Sequence, residues 1–263
     1  MASDLPPDFV IFTSIRYEPS LQQPALSLPY YLLPFHLARL RGAAEAFNLN
    51  KVQELLRDDV SALALLRRAV DDAVPDTTTP WRVNVRFTPD AQVTSSATGI
   101  PPLRNNIMSL PDTDALPAFL QQEVRRRGLK HWDVVIDTEP TPASLFTGHK
   151  TSAREMYNAA RDRAGLVSYD EPKEILLWNE SGEVTEGSIT TVYLWRKASG
   201  TGAPRLVTPP LACGPNASST RRYALSKGLC GEEAVKLEDL HDGDEIWLSH
   251  ASDGFFPGRV RFL

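Results

Sequence analysis

Ser144-Leu145-Phe146-Thr147-Gly148-His149-Lys150-Thr151-Ser152-Ala153-Arg154 lies near the middle of the chain, and the reading of everything else turns on it. Residues 151–164 have helical composition, with Thr151 or Ser152 available as N-cap. The stretch therefore predicts a loop or strand that delivers Lys150 to the start of a helix. A lone lysine is ordinarily a solvated surface charge. Its meaning has to come from the segments on either side.

Upstream, Asp8 to Tyr17 is apolar and β-branched and predicts a strand. Pro34 to Phe47 predicts a helix, because Leu33, Leu37, Leu40, Ala44 and Phe47 form one apolar stripe. His36 and Arg39 fall off that stripe, and the local pattern makes Arg39 a solvated helix charge. Residues 50–74 predict two further helices, with Leu63, Leu66, Val70 and Ala73 inward. Arg82 to Thr88 alternates, with Val83, Val85 and Phe87 on one face, and predicts a half-buried strand with a partner through Val93. Pro101 to Pro111 reads as a loop, Leu116 to Arg127 as an amphipathic helix stopped by Gly128, and Trp132 to Asp137 as a strand.

Downstream the pattern changes to short extended segments separated by tight turns: Glu174–Trp178, Val184–Thr191, Val192–Lys197, Asp244–Ser249 and Phe255–Phe262. Ser199 to Gly202 reads as a turn, Thr208 to Ser219 as an irregular loop, and Thr220 to Lys227 as a helix ending at Gly228. Segregated helices and strands without a βαβ repeat predict an α+β chain, and the second half predicts a barrel-like sheet. The natural split falls between Asp137 and Phe146, giving an α+β domain over 1–138 and a pseudo-barrel domain over 139–263.

Composition removes several function classes. A formal net charge of −5 offers no electrostatic attraction to nucleic acid or anionic membrane. No run approaches the roughly 18 apolar residues of a membrane span. Met1 to Pro7 lacks the basic and apolar regions of a secretory signal. Two cysteines, Cys213 and Cys230, fit a reduced, cytoplasmic protein. Five scattered His and no CxxC leave no metal constellation, and neither GxGxxG nor GxxxxGK[ST] is present.

Four segments in order resemble the fold-type IV enzymes of pyridoxal 5′-phosphate (PLP), which include the class IV aminotransferases and the 4-amino-4-deoxychorismate lyases. They are Phe12-Thr13-Ser14-Ile15-Arg16 with Phe35-His36-Leu37-Ala38-Arg39-Leu40; His149-Lys150-Thr151; Glu186-Gly187-Ser188-Ile189-Thr190-Thr191-Val192-Tyr193; and Thr208-Pro209-Pro210-Leu211 running to Ser219-Thr220-Arg221. Trp247-Leu248-Ser249-His250-Ala251-Ser252 also fits. The resemblance covers nearly the whole chain and is strongest to the short fungal aminodeoxychorismate lyase-like proteins.

That resemblance implies PLP as cofactor and assigns roles. Lys150 is the amine that holds the cofactor's aldehyde and then serves as base, with a pKa expected to fall in a buried site. Glu186 is the carboxylate that keeps the pyridine nitrogen protonated. Arg39, Ser219, Thr220 and Ser252 surround the phosphate, so the resemblance overrides the solvated reading of Arg39. Arg221 and Arg222 are left as surface or dimer contacts. Ser14, with Thr13 beside it, stands where the lyases carry a proton-donating threonine, which favours a lyase over a transaminase. The implied reaction gives 4-aminobenzoate and pyruvate. A transaminase keeps the same cofactor residues, and a non-catalytic binding protein is the reading of another class, disfavoured because Lys150 and Glu186 stand together. The family's homodimer is expected as well.

This chain departs from the family at several points. Thr191 replaces a usual Asn, and Ala217-Ser218 replaces a usual Pro-Gly. Glu155 occupies the place of a Tyr that contacts the cofactor, with Tyr157 nearby at a different helical angle. Arg82, Arg86 and Arg104 are candidates for substrate carboxylates by charge alone.

Overall fold

In the computed structural model, residues 5–20, 27, 29–102, 107–108, 116–196 and 204–262 are described. They form two compact units. The first comprises residues 1–103 with 149–153 and 217–219; the second comprises 104–148, 154–216 and 220–263.

The first unit is a three-stranded antiparallel sheet backed by helices. β1 (Ile11–Tyr17), β2 (Trp81–Phe87) and β3 (Val93–Gly99) lie in that order. Alternation sorts the strands into two faces. Ile11, Ile15, Val83, Val85 and Phe87 are wholly buried on one. They pack on the layer of α1 (Leu33–Ala46) and α3 (Asp59–Asp71), with α2 (Asn50–Leu55) between these helices in sequence. The opposite face carries three cross-strand rows: Phe12, Arg86 and Thr94; Ser14, Asn84 and Ser96; Arg16, Arg82 and Thr98.

Each predicted helix of this unit forms, with its stripe inward. Leu33, Leu37, Leu40, Ala44 and Phe47 are all buried. Asp58 caps α3 by accepting from the Ser61 N–H at 2.8 Å, satisfying one of the first-turn donors. On α3 the buried set is Ala62, Leu66, Ala69 and Val70, while Leu63 is half-buried, as is Ala73 just past the helix end. The inward stripe is thus turned slightly from the expected one.

The second unit is built on an eight-stranded mixed sheet in the order β6 (Val184–Gly187), β5 (Lys173–Trp178), β4 (Trp132–Ile136), β11 (Gly254–Arg261), β10 (Glu245–His250), β7 (Thr191–Arg196), β8 (Arg205–Thr208) and β9 (Gly231–Glu232). β4 runs parallel to both β5 and β11, and the other pairings except β8 with β9 are antiparallel. One apolar cluster, including Val134, Leu176, Val192, Leu248 and Val260, fills its concavity. A second joins α6 (Glu155–Arg163) to β5 through Tyr157, Ala160, Ile175 and Leu177. The curled sheet is the expected pseudo-barrel. The expected 138/139 boundary falls just after β4, a strand of this sheet. Helix α4 (Leu116–Arg127) precedes β4, and α5 (Leu145–Gly148) and α7 (Ser219–Ser226) complete the helices. Gly128 and Gly228, at the ends of α4 and α7, have the positive φ values of 61° and 65° that suit helix-terminating glycines.

The predicted loop over 101–111 and the turn over 199–202 lie largely or wholly outside the described residues, as does Arg104.

Candidate active site

The predicted helix from Thr151 does not form at that point. α6 starts at Glu155, and neither Thr151 nor Ser152 caps it. Residues 150–152 instead lie antiparallel along the outer edge of β1. Phe12 N–H donates to the Lys150 carbonyl at 3.1 Å, Ser152 N–H to the Val10 carbonyl at 2.9 Å, and Val10 N–H to Ser152 Oγ at 3.0 Å. The Ser152 hydroxyl that could have capped a helix is spent on this edge.

Pairing sets the direction of the lysine. Thr151 bridges Ile11 and is buried with it. Lys150, one residue earlier, points to the other face with Phe12. Its Nζ lies 4.7 Å from the centre of the Phe12 ring, a cation–π contact. Ser14 is two residues along the same face, and its hydroxyl donates to Asn84 Oδ1 at 2.6 Å. Thr13 turns to the buried face, where its hydroxyl meets His36 Nδ1 at 2.6 Å. Of the two neighbouring hydroxyls, Ser14 is therefore the one on the lysine's face.

His36 lies off the apolar stripe of α1 yet is completely buried. Burial, then the charges of Arg39 and Lys150, pulls its pKa down to about 3, so the ring is neutral at pH 7. Arg39 sits one helical turn beyond it and is half-buried. Both the Arg39 and the Lys150 charge therefore act on His36 within the first unit. His149 stacks edge-on against Phe47 at 5.8 Å, which holds the residue before the lysine.

In the second unit, Glu186 is the penultimate residue of β6 and is buried. The Tyr157 hydroxyl lies 2.6 Å from Glu186 Oε1 and 3.1 Å from the Thr147 carbonyl. One phenolic proton faces two acceptors, and the closer carboxyl oxygen takes it. The turn after Glu186 is tied to Glu174, which is wholly buried. Its carboxyl accepts from Ser188 N–H at 3.0 Å, Ser188 Oγ at 2.7 Å, Ile189 N–H at 3.2 Å and Thr190 Oγ1 at 2.8 Å. A Cβ on Gly187 would collide with the Glu174 carboxyl at 2.7 Å, so glycine is required there.

Ser219 and Thr220 occupy the first two positions of α7, whose leading N–H groups have no intrahelical acceptor. Both side chains are buried. Within the second unit Ser249 Oγ donates to Thr220 Oγ1 at 2.8 Å and meets the Tyr193 hydroxyl at 2.9 Å. With the Ser249 proton given to Thr220, the Tyr193 hydroxyl is the donor to Ser249. The chain thus runs Tyr193 to Ser249 to Thr220, with donor polarity at its Thr220 end. Ser252 is buried in the turn between β10 and β11, three residues beyond Ser249, and Thr191 is buried at the start of β7.

Cys213 and Cys230 are free and buried, and burial pushes their thiols up to about 11 and about 12. Neither is a nucleophile at neutral pH. Among the described residues no group of three His, Cys, Asp or Glu could hold a metal, and no helix is long and apolar enough to cross a membrane.

Sequence reasoning missed four partners: His36 for Thr13, Asn84 for Ser14, Tyr157 for Glu186 and Glu174 for the turn beyond it. Tyr157 stood seven residues after Lys150 without an assigned role, and the alternation of β2 already put Asn84 opposite to the apolar face.

Residues 11–260 match the model of the family described as amino-transferase class IV, and the chain belongs to that family. The aminodeoxychorismate lyase of Saccharomyces cerevisiae is 37% identical over 141 residues, which is 50% of this chain and 37% of that protein's length. A protein from Mesorhizobium loti, provisionally assigned as an amino-acid aminotransferase, superposes with a TM-score of 0.65 at 22% identity, over 97% of this chain and all of that one. A hypothetical aminotransferase from Mycobacterium tuberculosis in its PLP-bound form gives 0.58 at 19% identity, over 97% of this chain and 81% of that one. At such identities the structural likeness establishes the fold.

Proposed function

We propose that the chain binds PLP and converts 4-amino-4-deoxychorismate to 4-aminobenzoate and pyruvate, a step that supplies a folate precursor. The donor set fits the cofactor. A partly buried lysine amine lies beside an aromatic ring, a buried carboxyl is held by a tyrosine, and a hydroxyl chain ends in a helix's first turn. Lys150 would hold the aldehyde, Glu186 the pyridine nitrogen, and Arg39, Ser219, Thr220 and Ser252 the phosphate. When bound, PLP supplies an electron sink for the carbon next to the substrate nitrogen.

The chain's own groups do the rest. Lys150 removes the proton on the ring carbon that bears the amine. The C–O bond to the enolpyruvyl group then breaks, and aromatisation drives the step. The departing enolpyruvate takes a proton from Ser14 and becomes pyruvate, after which the serine is reprotonated. Asn84 fixes the Ser14 hydroxyl; a half-turn of its amide presents Nδ2 to Ser14 Oγ and releases the serine proton for this use.

The observation that carries the lyase reading is that Lys150 and Ser14 project from one face of one sheet. A base and an acid are thereby offered to a substrate from the same side. Likeness to the yeast lyase supports it. Two buried thiols suit the reducing cytoplasm.

The test is a product assay on PLP-loaded protein given 4-amino-4-deoxychorismate without a keto acid. Equimolar 4-aminobenzoate and pyruvate are expected, and Lys150→Ala should lose both the products and the visible absorbance of the lysine-bound cofactor. Product formation that requires an added keto acid as amine acceptor would replace the lyase with a transaminase.

A further inference from the structure

We propose that the open face of the three-stranded sheet is a binding site for a small dicarboxylate, with Arg82 and Arg86 receiving its two carboxylates. This deepens the lyase reading and rests on it for the reacting end at Lys150.

The evidence is the sorting of charge on that face. Lys150 joins the row of Phe12 and Arg86, since it pairs with Phe12 across the β1 edge. Ser14 and Asn84 form the middle row, and Arg16 and Arg82 the third. β3 adds only hydroxyl groups, and none of the face's nine strand positions carries a carboxyl. Yet acids outnumber bases in the chain, 33 to 28.

The three arginines are not equivalent. Arg16 is sealed from solvent and neutralised by Glu18 at 2.7 and 2.9 Å. Arg82 is half-buried and Arg86 exposed, and among the described residues neither has a carboxylate or hydrogen-bond partner. A guanidinium grips a carboxylate through two parallel N–H bonds, so two such groups flanking an amide suit a dianion.

Spacing agrees. Arg82 and Arg86 are four residues apart on one strand, about 13 Å at the backbone, and Arg86 is two strand spacings, roughly 10 Å, from the lysine's segment. Long side chains from three corners can converge on one small molecule. 4-Amino-4-deoxychorismate carries a ring carboxylate and an enolpyruvyl carboxylate, with the amine as its third corner.

Chorismate, a dicarboxylate without the amine, isolates recognition from turnover. Calorimetric titration of the PLP-loaded protein with chorismate should show binding that weakens at least ~10-fold in Arg82→Gln and in Arg86→Gln, with partial recovery in Arg86→Lys. The cofactor's absorbance should be the same in all variants. Absence of chorismate binding in the unaltered protein, or affinity unchanged from it in both Gln variants, overturns the site. The two readings separate cleanly. Arginine-dependent chorismate binding without 4-aminobenzoate formation removes the lyase and keeps the dicarboxylate site. Turnover with KM unchanged in both variants keeps the lyase and removes the site.

Discussion

At His36 a buried imidazole couples proton uptake to folding. Its pKa is about 3 in the folded chain against roughly 6.5 when exposed. The unfolded chain therefore binds the proton more readily between those values. The stabilisation is fully present above pH ~6.5 and is lost as pH falls toward 3. Each pH unit inside this window removes up to about 1.4 kcal/mol. Urea unfolding of the wild type at pH 7 and pH 5 should show that slope, and His36→Gln should flatten it; parallel slopes would mean that another group is responsible. Ser14 is the second residue with a sharp consequence. Removing a general acid costs about 10²–10⁴-fold in rate. Ser14→Ala should slow pyruvate release by that order with PLP absorbance intact, and undiminished turnover would put the proton donor elsewhere.

The elements explain why these side chains stand where they do. β1 has two roles: its even residues carry Phe12 and Ser14 on the lysine's face, and its odd residues anchor the helical layer. In the second unit Glu174 ties down the β6–β7 turn through several bonds, with Gly187 allowing the close approach. Glu174→Ala would take the acceptor from Ile189 N–H and the buried Thr190 hydroxyl, at about 1–3 kcal/mol each. We expect a loss of at least ~2 kcal/mol in stability and weaker PLP retention, because Glu186 directly precedes the turn. Denaturant midpoints and cofactor dialysis would check both; tight PLP in a destabilised variant would separate the turn from the carboxyl's placement. The curl of the eight-stranded sheet is maintained by the cluster around Leu248 and Val134, which leaves the strand ends to carry Ser249, Thr191 and Glu186.

For the whole molecule, we expect a homodimer. Light scattering on the purified protein should give twice the monomer mass, and a monomer with full lyase turnover would show that one copy suffices. The −5 net charge disfavours approach of a dianion over long range, so arginines gathered on one sheet face matter more here than they would on a basic protein.

Much of this was legible in the residues alone. The stripe of α1, the alternation of Val83, Val85 and Phe87, and the Gly128 and Gly228 stops are local periodicities and backbone preferences, which the chain carries residue by residue. The proposed set of Lys150, Glu186, Arg39 and Thr220 came from an ordered pattern that resembles the family's. Other features depended on long-range pairing. Residues 150–152 read as a helix start, because local composition cannot register that the edge of β1, some 140 positions earlier, offers donors and acceptors. That pairing turned Lys150 toward Phe12 and Ser14 and left Thr13 to His36. The burial of His36 and the meeting of Tyr157 with Glu186 came from tertiary packing as well, since a helix's own periodicity does not say what lies across from its polar side.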